Sequence, residues 1–276
     1  MKAVEKAIWY VESHYREAIS LDTLASVAGV SRYHLSRMFC YAVGLPVSKY
    51  LRIRRLSAAA IALAAGEPDI LDLALSLGYG SHEAFSRAFK ELFAATPEQV
   101  RAQGHTDNLK LLEPQSMETS TSVSLAEPRS EKLGPISLIG HSRHYPFEKV
   151  SGIPEQWQSF AEVLPTISND PKPTTFGVIY NGCDDSFDYL SGVDAKVCPG
   201  NVGNVVKIEL ESQTYLVFDH TSHVSSVRET CAAIWSNWLP NSDVKVIEAP
   251  WFERYVKSFD PITGNGGLEI WIPIIS

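Results

Sequence analysis

The 276-residue chain has only four cysteines and three methionines, and no apolar run reaches the ~18 to 20 residues that span a bilayer. The cysteines, Cys40, Cys183, Cys198 and Cys231, are scattered without a C-x-x-C pair, which argues against a disulfide framework and against a thiolate metal site. Reduced thiols, no structural metal and no cofactor are expected. The opening stretch MKAVEKAIWYVESHYREA is charged and amphipathic and lacks the apolar core of a signal peptide, so the cytoplasm is the expected location and no membrane partner is expected. Positive charge is also short: 24 Lys+Arg stand against 32 Asp+Glu, a net of -8 that speaks against a phosphate-rich partner. No compositional bias marks a fibrous or wholly disordered chain, and with 45% hydrophobic residues there is material for about two cores at ~100 to 200 residues per domain.

That average charge hides an asymmetry. Residues 1–112 carry 13 Lys+Arg and 11 Asp+Glu, net +2, whereas residues 113–276 carry 11 and 21, net -10. Different partners are expected for the two halves.

The first half reads as a series of about seven short helices, punctuated by Gly29, Gly44-Leu45-Pro46, Gly66-Glu67-Pro68 and Gly78-Tyr79-Gly80. A polar stretch follows, and the expected division is a helical domain over 1–103, a linker over 104–117 and an α+β domain over 118–276. A first strand is possible near Val123–Ala126. Further strands are expected at 136–139, 175–180 and 215–218, with amphipathic helices near 153–164 and 223–238.

Each half contains an internal repeat. Leu24-Ala25, Gly29, Ser31, Arg37 and Phe39 recur as Leu73-Ala74, Gly78, Ser81, Arg87 and Phe89, at an offset of 49 residues before the turn and 50 after it. In the second half the order strand, helix, strand, strand occurs twice, the helices carrying Trp157 and then Trp235 with Trp238.

The first repeat has a chemical logic. A small Ala lets two helices cross closely, a Gly four residues later accommodates a tight turn, and a Ser caps the next helix, which together describe a helix-turn-helix. Burying Leu35, Met38 and Phe39 turns Arg32, Tyr33, Ser36 and Arg37 outward. Burying Phe85, Ala88 and Phe89 likewise exposes His82, Glu83, Ser86, Arg87 and Lys90. Arg donates twice to guanine and Glu accepts from cytosine, so these faces suit major-groove reading, although one copy alone is as easily a solvated helix face. Two copies on the Ala-rich connector near 47–65 favour double-stranded DNA, read in two segments ~34 Å apart. Arg52, Arg54 and Arg55 on the connector are either phosphate contacts or, more commonly for such a helix, solvated or paired.

Residues 1–101 resemble the DNA-binding domain of the AraC/XylS family of bacterial transcription regulators. The match rests on GYGSHEAFSRAFKELF at 78–93, closing with Thr96-Pro97 and Arg101. It departs from the family at Ala94, where Gly is usual, and at Val100, where Tyr or Phe is usual, which bears on packing of the last helix. The resemblance implies that Tyr33, Ser36, Arg37, His82, Glu83, Ser86 and Arg87 contact promoter DNA, and that RNA polymerase is a further partner, with activation the commoner mode.

From about residue 118 the chain resembles the GyrI-like small-molecule-binding domain: two strand-helix-strand-strand repeats facing each other across a pseudo-twofold cleft. The similar segments are FGVIY at 176–180, Phe187-Asp188-Tyr189, Trp157, PWFERY at 250–255 and LEIWIPI at 268–274. Alternation along a strand at 250–257 places Trp251, Glu253 and Tyr255 on one face. A carboxylate between two rings suits a cationic or amphipathic effector, whereas a surface strand with Glu253 in water is the plainer reading of spacing alone. The resemblance places Glu253 in the cleft, and Trp157, Tyr180 and Tyr189 are candidate walls, each also readable as ordinary core. Trp235 and Trp238 read as buried core, and His220 and His223 as capping or surface residues rather than metal ligands.

The expected function is therefore a DNA-binding transcription regulator, not an enzyme, controlled by a small molecule. Two alternatives stand beside it: a hydrolase with Glu253 as general base, for which no nucleophile is apparent, and a protein-interaction module without a small-molecule ligand.

Overall fold

The protein is described from a computed structural model covering residues 3–67, 69–113, 124–198 and 205–275. It divides into two compact units, Met1–Leu35 with Leu45–Thr119, and Ser36–Gly44 with Ser120–Ser276.

The first unit is helical. Its elements are α1 (Ala3–His14), α2 (Leu21–Ala28), the start of α3 (Arg32–Val43), α4 (Val47–Ala64), α5 (Ile70–Ser76), α6 (His82–Phe93) and α7 (Pro97–Gln103). The two repeated turns form as their residues dictate. Gly29 and Gly78 take left-handed backbone, φ 75° and 81°, a conformation that costs other residues a Cβ clash. Ser31 and Ser81 cap the following helices, each accepting at 3.2 Å from a backbone N–H three residues on, His34 and Ala84. Ala59, Ala60 and Leu63 of α4 are fully buried against Ala74 of α5 and Phe85 and Phe89 of α6. The small side chains of α4 let both neighbours approach closely.

The three connector arginines are engaged within this unit. Arg54 is buried and grips Glu12 of α1 with Nε and Nη2 (2.8 to 3.0 Å), while its Nη1 donates to the Leu112 carbonyl at 3.1 Å. Arg55 donates to the carbonyls of Tyr15 and Glu17, and Arg52 pairs with Glu91. Pairing, rather than free projection toward phosphate, is what the structure contains. Residues at the start of the expected linker also dock here: Leu109 and Leu111 pack on the core, and the Leu112 N–H donates to Ser57 Oγ at 2.9 Å.

The second unit is built on one antiparallel sheet. It comprises β1 (Arg129–Leu133), β2 (Ile136–Pro146), α8 (Ile153–Ile167), β3 (Thr175–Tyr180), β4 (Ser186–Asp194), β5 (Val206–Leu210), β6 (Gln213–His220), α9 (Val227–Ala233), β7 (Trp251–Tyr255) and β8 (Leu268–Ile274). The helix expected near 223–238 is thus split: α9 runs on as a π-helical segment, Ile234–Trp238. Of the strand expected near 123–126, Val123 lies outside the described residues, and the first strand begins instead at Arg129.

The strand order β1-β6-β8-β7-β3-β4-β2-β5 is symmetric about its midpoint. A half-turn there exchanges β7 with β3, β8 with β4, β6 with β2 and β1 with β5, so the two strand-helix-strand-strand repeats meet along β3 and β7. The two faces of the sheet bury different things. One face gathers Phe176, Val178, Leu190, Tyr215, Phe252 and Trp271 into an all-sheet core, with Phe252 stacked on Trp271 at 5.3 Å. The other carries α8 and the α9 segment, whose Trp157 and Trp235 meet Tyr255 and Trp251 edge-on. Among the described residues no helix is long and apolar enough to cross a membrane.

Candidate functional site

At the sheet midpoint β3 runs antiparallel to β7, with Thr175 opposite Tyr255, Gly177 opposite Glu253 and Ile179 opposite Trp251. Alternation therefore sends Trp251, Glu253 and Tyr255 to the helix-bearing face, and the β3–β4 register puts Tyr189, opposite Ile179, beside them. Glu253 is buried at 9% exposure, so it does not lie on a water-facing strand. Its Oε2 accepts from the hydroxyls of Tyr189 (2.8 Å) and Tyr255 (2.9 Å), and Tyr189 Oη in turn accepts from Trp157 Nε1 of α8 at 2.9 Å.

The electrostatics follow from burial. Loss of water holds the Glu253 carboxyl above the ordinary carboxylate range, opposed by its two hydroxyl bonds. Burial and the adjacent carboxylate push the Tyr189 and Tyr255 hydroxyls far upward, so both remain protonated donors. Among the described residues Glu253 has no ion-pair partner. The arrangement is a desolvated acid, oriented by two phenols and walled by aromatic rings.

Tyr180 does not belong to this group. It lies on the opposite face with Phe176 and Val178, its hydroxyl 2.7 Å from Ser142 Oγ, because an odd offset from Gly177 reverses the side of a strand. Trp251 shares the Glu253 face but turns its ring toward Trp235, 5.9 Å away. His220 is bound to Thr230 Oγ1 and the His223 carbonyl, and His223 caps the turn before α9.

On the helix-turn-helix elements, Glu83, Arg87 and Lys90 of α6 and Arg32 of α3 are exposed, while His82 and Tyr33 are half-buried. His82 reaches Glu98 at 3.2 Å and Arg32 reaches Asp22 at 3.3 Å. Three residues expected to face outward do not. Ser86 has a buried hydroxyl with no hydrogen-bond partner. Ser36 and Arg37 are 5% and 2% exposed, since α3 is covered on every side from Leu35 to Cys40. In the second unit, to which they belong, Ser36 Oγ donates to the Asp184 carbonyl at 2.9 Å and the Arg37 guanidinium lies 4.6 Å from the Phe147 ring centre.

The family profile of the GyrI-like small molecule binding domain matches residues 126–275, and that of a helix-turn-helix domain matches residues 24–103. The chain belongs to the GyrI-like family. Its N-terminal half is of the AraC type, and the whole is a DNA-binding transcription regulator with a ligand-binding domain. The chain is 28% identical to the right origin-binding protein of Escherichia coli K12 and 27% identical to the transcriptional regulator Rob of Salmonella typhimurium LT2, over 97% of this chain and 96% of each relative. The regulatory protein SoxS of Escherichia coli K12 is 35% identical over 36% of this chain and 94% of its own length.

Two residues of the GyrI-like domain that hold the site carry roles that the sequence reading did not assign, Gly177 within the FGVIY segment and Gln156. Gly177 has no side chain because the Tyr189 hydroxyl and Glu253 Oε2 occupy the place of a Cβ. Gln156, fully buried on α8, takes the Tyr145 hydroxyl on its Oε1 and donates from Nε2 to the carbonyls of His141 and Tyr189. Gln156 thereby ties α8 to the strand that carries Tyr189.

Proposed function

We propose that this regulator is controlled by a cationic, amphipathic small molecule held at Glu253, with Tyr189 and Tyr255 orienting the carboxylate and Trp157 and Trp251 supplying aromatic wall. The observation that carries the reading is a buried carboxylate with phenol donors but no cation among the described residues. Such a group costs folding free energy that a cationic ligand offsets. Tetraphenylphosphonium is a suitable probe because its charge does not titrate. Calorimetry with the full chain is expected to show binding that Glu253→Gln weakens about tenfold or more. Equal affinity of the two proteins removes Glu253 from the site.

In the DNA-binding half, Glu83, Arg87 and Lys90, with His82 beside them, read one major-groove segment, and Arg32 and Tyr33 belong to the second reader. The connector α4, which joins the two helix-turn-helix motifs in sequence, is roughly 27 Å long at 1.5 Å per residue. The protein acts in the cytoplasm as an activator, contacting RNA polymerase at the promoter. Transcription in vitro with purified polymerase and effector tests the sign, and effector-dependent loss of transcript overturns activation.

A further inference from the structure

The indole nitrogens of the second unit are not treated alike. Trp157 Nε1 donates to the Tyr189 hydroxyl and Trp271 Nε1 to Glu269 Oε2, both at 2.9 Å. Trp251 is 2% exposed, yet its Nε1 is buried with no hydrogen-bond partner. A buried donor left unmade costs far more than a satisfied one contributes, so an orphan of this kind calls for an occupant. Its position narrows what that occupant is. Trp251 stands two residues before Glu253 on the same face of β7, about 7 Å along the strand. The same face of one strand thus carries an acceptor-only carboxylate and, two residues before it, a donor-only indole.

We propose that the effector is bifunctional, a cation bearing a hydrogen-bond acceptor such as an ester or ketone carbonyl a few bonds away, with Trp251 Nε1 as the donor that recognises the acceptor. This rests on the reading of Glu253 as a cation site and adds a second, independent recognition element. Trp251 is then a specificity-determining residue: it selects among cations by what they carry, while Glu253 attracts them all. A resident water on the indole is the competing explanation, and it gives no preference among cations.

The probes are acetylcholine and pentyltrimethylammonium, which match in charge and chain length and differ by the ester. Calorimetry on the full chain is expected to give about tenfold tighter binding of acetylcholine. Trp251→Phe is expected to bind the two cations with equal affinity, whatever the change in both from the loss of ring surface, whereas Glu253→Gln weakens both in parallel and keeps the preference. Nitrogen-15 spectra of the indoles, assigned with the Trp251→Phe protein, provide a second readout besides affinity. One indole N–H, absent from the Trp251→Phe spectrum, is expected to shift with acetylcholine and not with its hydrocarbon analogue. Equal wild-type affinities, or a preference that survives Trp251→Phe, overturn the indole assignment and leave the Glu253 reading intact. Failure of both cations to bind the wild-type chain overturns this inference, and failure of tetraphenylphosphonium as well overturns the Glu253 reading.

Discussion

Gly177 stands directly opposite Glu253 across the β3–β7 pair, and a Cβ at Gly177 would fall 2.8 Å from Glu253 Oε2 and inside the Tyr189 hydroxyl. The absence of a side chain on one repeat is therefore what allows the acid of the other repeat to meet its phenol partner. Gly177→Ala is expected to break the Tyr189–Glu253 bond, lower stability by about 1 to 3 kcal/mol and abolish cation binding. Thermal melts with calorimetry check this, and retained affinity at wild-type stability contradicts it.

Glu253 links ligand binding to pH with opposite signs in folding and in binding. Because burial raises its pKa, the native protein holds the proton more tightly than the unfolded chain. Between the unfolded and the raised native values stability therefore falls as pH rises, and above the native value the cost is constant. Glu253→Gln is expected to melt higher than the wild type at neutral pH and to converge with it in acid. A permanent cation favours the ionised form, so tetraphenylphosphonium binding weakens as pH falls through the raised value. Melting and calorimetric series across pH 4 to 8 read both effects.

Much of this was legible in the sequence where a local rule decides the outcome. Gly29, Gly78, Ser31 and Ser81 announce their turns because left-handed backbone and helix caps are properties of a few consecutive residues. The shared face of Trp251, Glu253 and Tyr255 follows from alternation within one strand. For Tyr180 the choice between cleft wall and core was not legible, because its face relative to Glu253 depends on register between β3 and β7, which neither strand encodes alone. The burial of Ser36 and Arg37 was hidden for a related reason. Helical period separates two faces of α3 but does not say whether both are covered. Gln156 resembled an ordinary polar residue because its acceptors come from β2 and β4, distant in sequence.

Arg54 carries a structural role that mutation separates from DNA contact. It spans α4, α1 and the segment at Leu112 through a nearly buried pair with Glu12, whose Oε1 also accepts from the Tyr50 hydroxyl at 2.7 Å. Arg54→Ala strands the carboxylate and is expected to cost about 3 to 5 kcal/mol. Arg54→Lys, which lacks the planar fork, loses part of that. Denaturant titration measures the cost, and unchanged stability with weakened DNA binding would return Arg54 to the phosphate backbone.

Ala94 closes α6 in left-handed backbone at φ 54°, with its N–H donating to the Lys90 carbonyl. An L-residue with a Cβ is strained there, and this is the position at which the sequence departs from the usual Gly. Ala94→Gly is expected to raise stability by roughly 0.5 to 1 kcal/mol, relief of the clash exceeding the added freedom of the unfolded chain. A lower melting temperature contradicts the strain.

Arg87 is the exposed arginine of α6, one turn beyond Glu83 and one face away from the buried Phe85, Ala88 and Phe89. A guanidinium so placed donates twice to a guanine edge, while Lys90, three residues on, is a point charge suited to phosphate. The two substitutions therefore have different signatures. Arg87→Ala is expected to cost about 1 to 3 kcal/mol on the specific site and to flatten sequence preference at one position. Lys90→Ala is expected to weaken all sequences similarly and to reduce the salt slope by about one unit. Fluorescence anisotropy against a promoter library at two salt concentrations distinguishes them, and an Arg87→Ala protein with unaltered preference removes α6 from base reading.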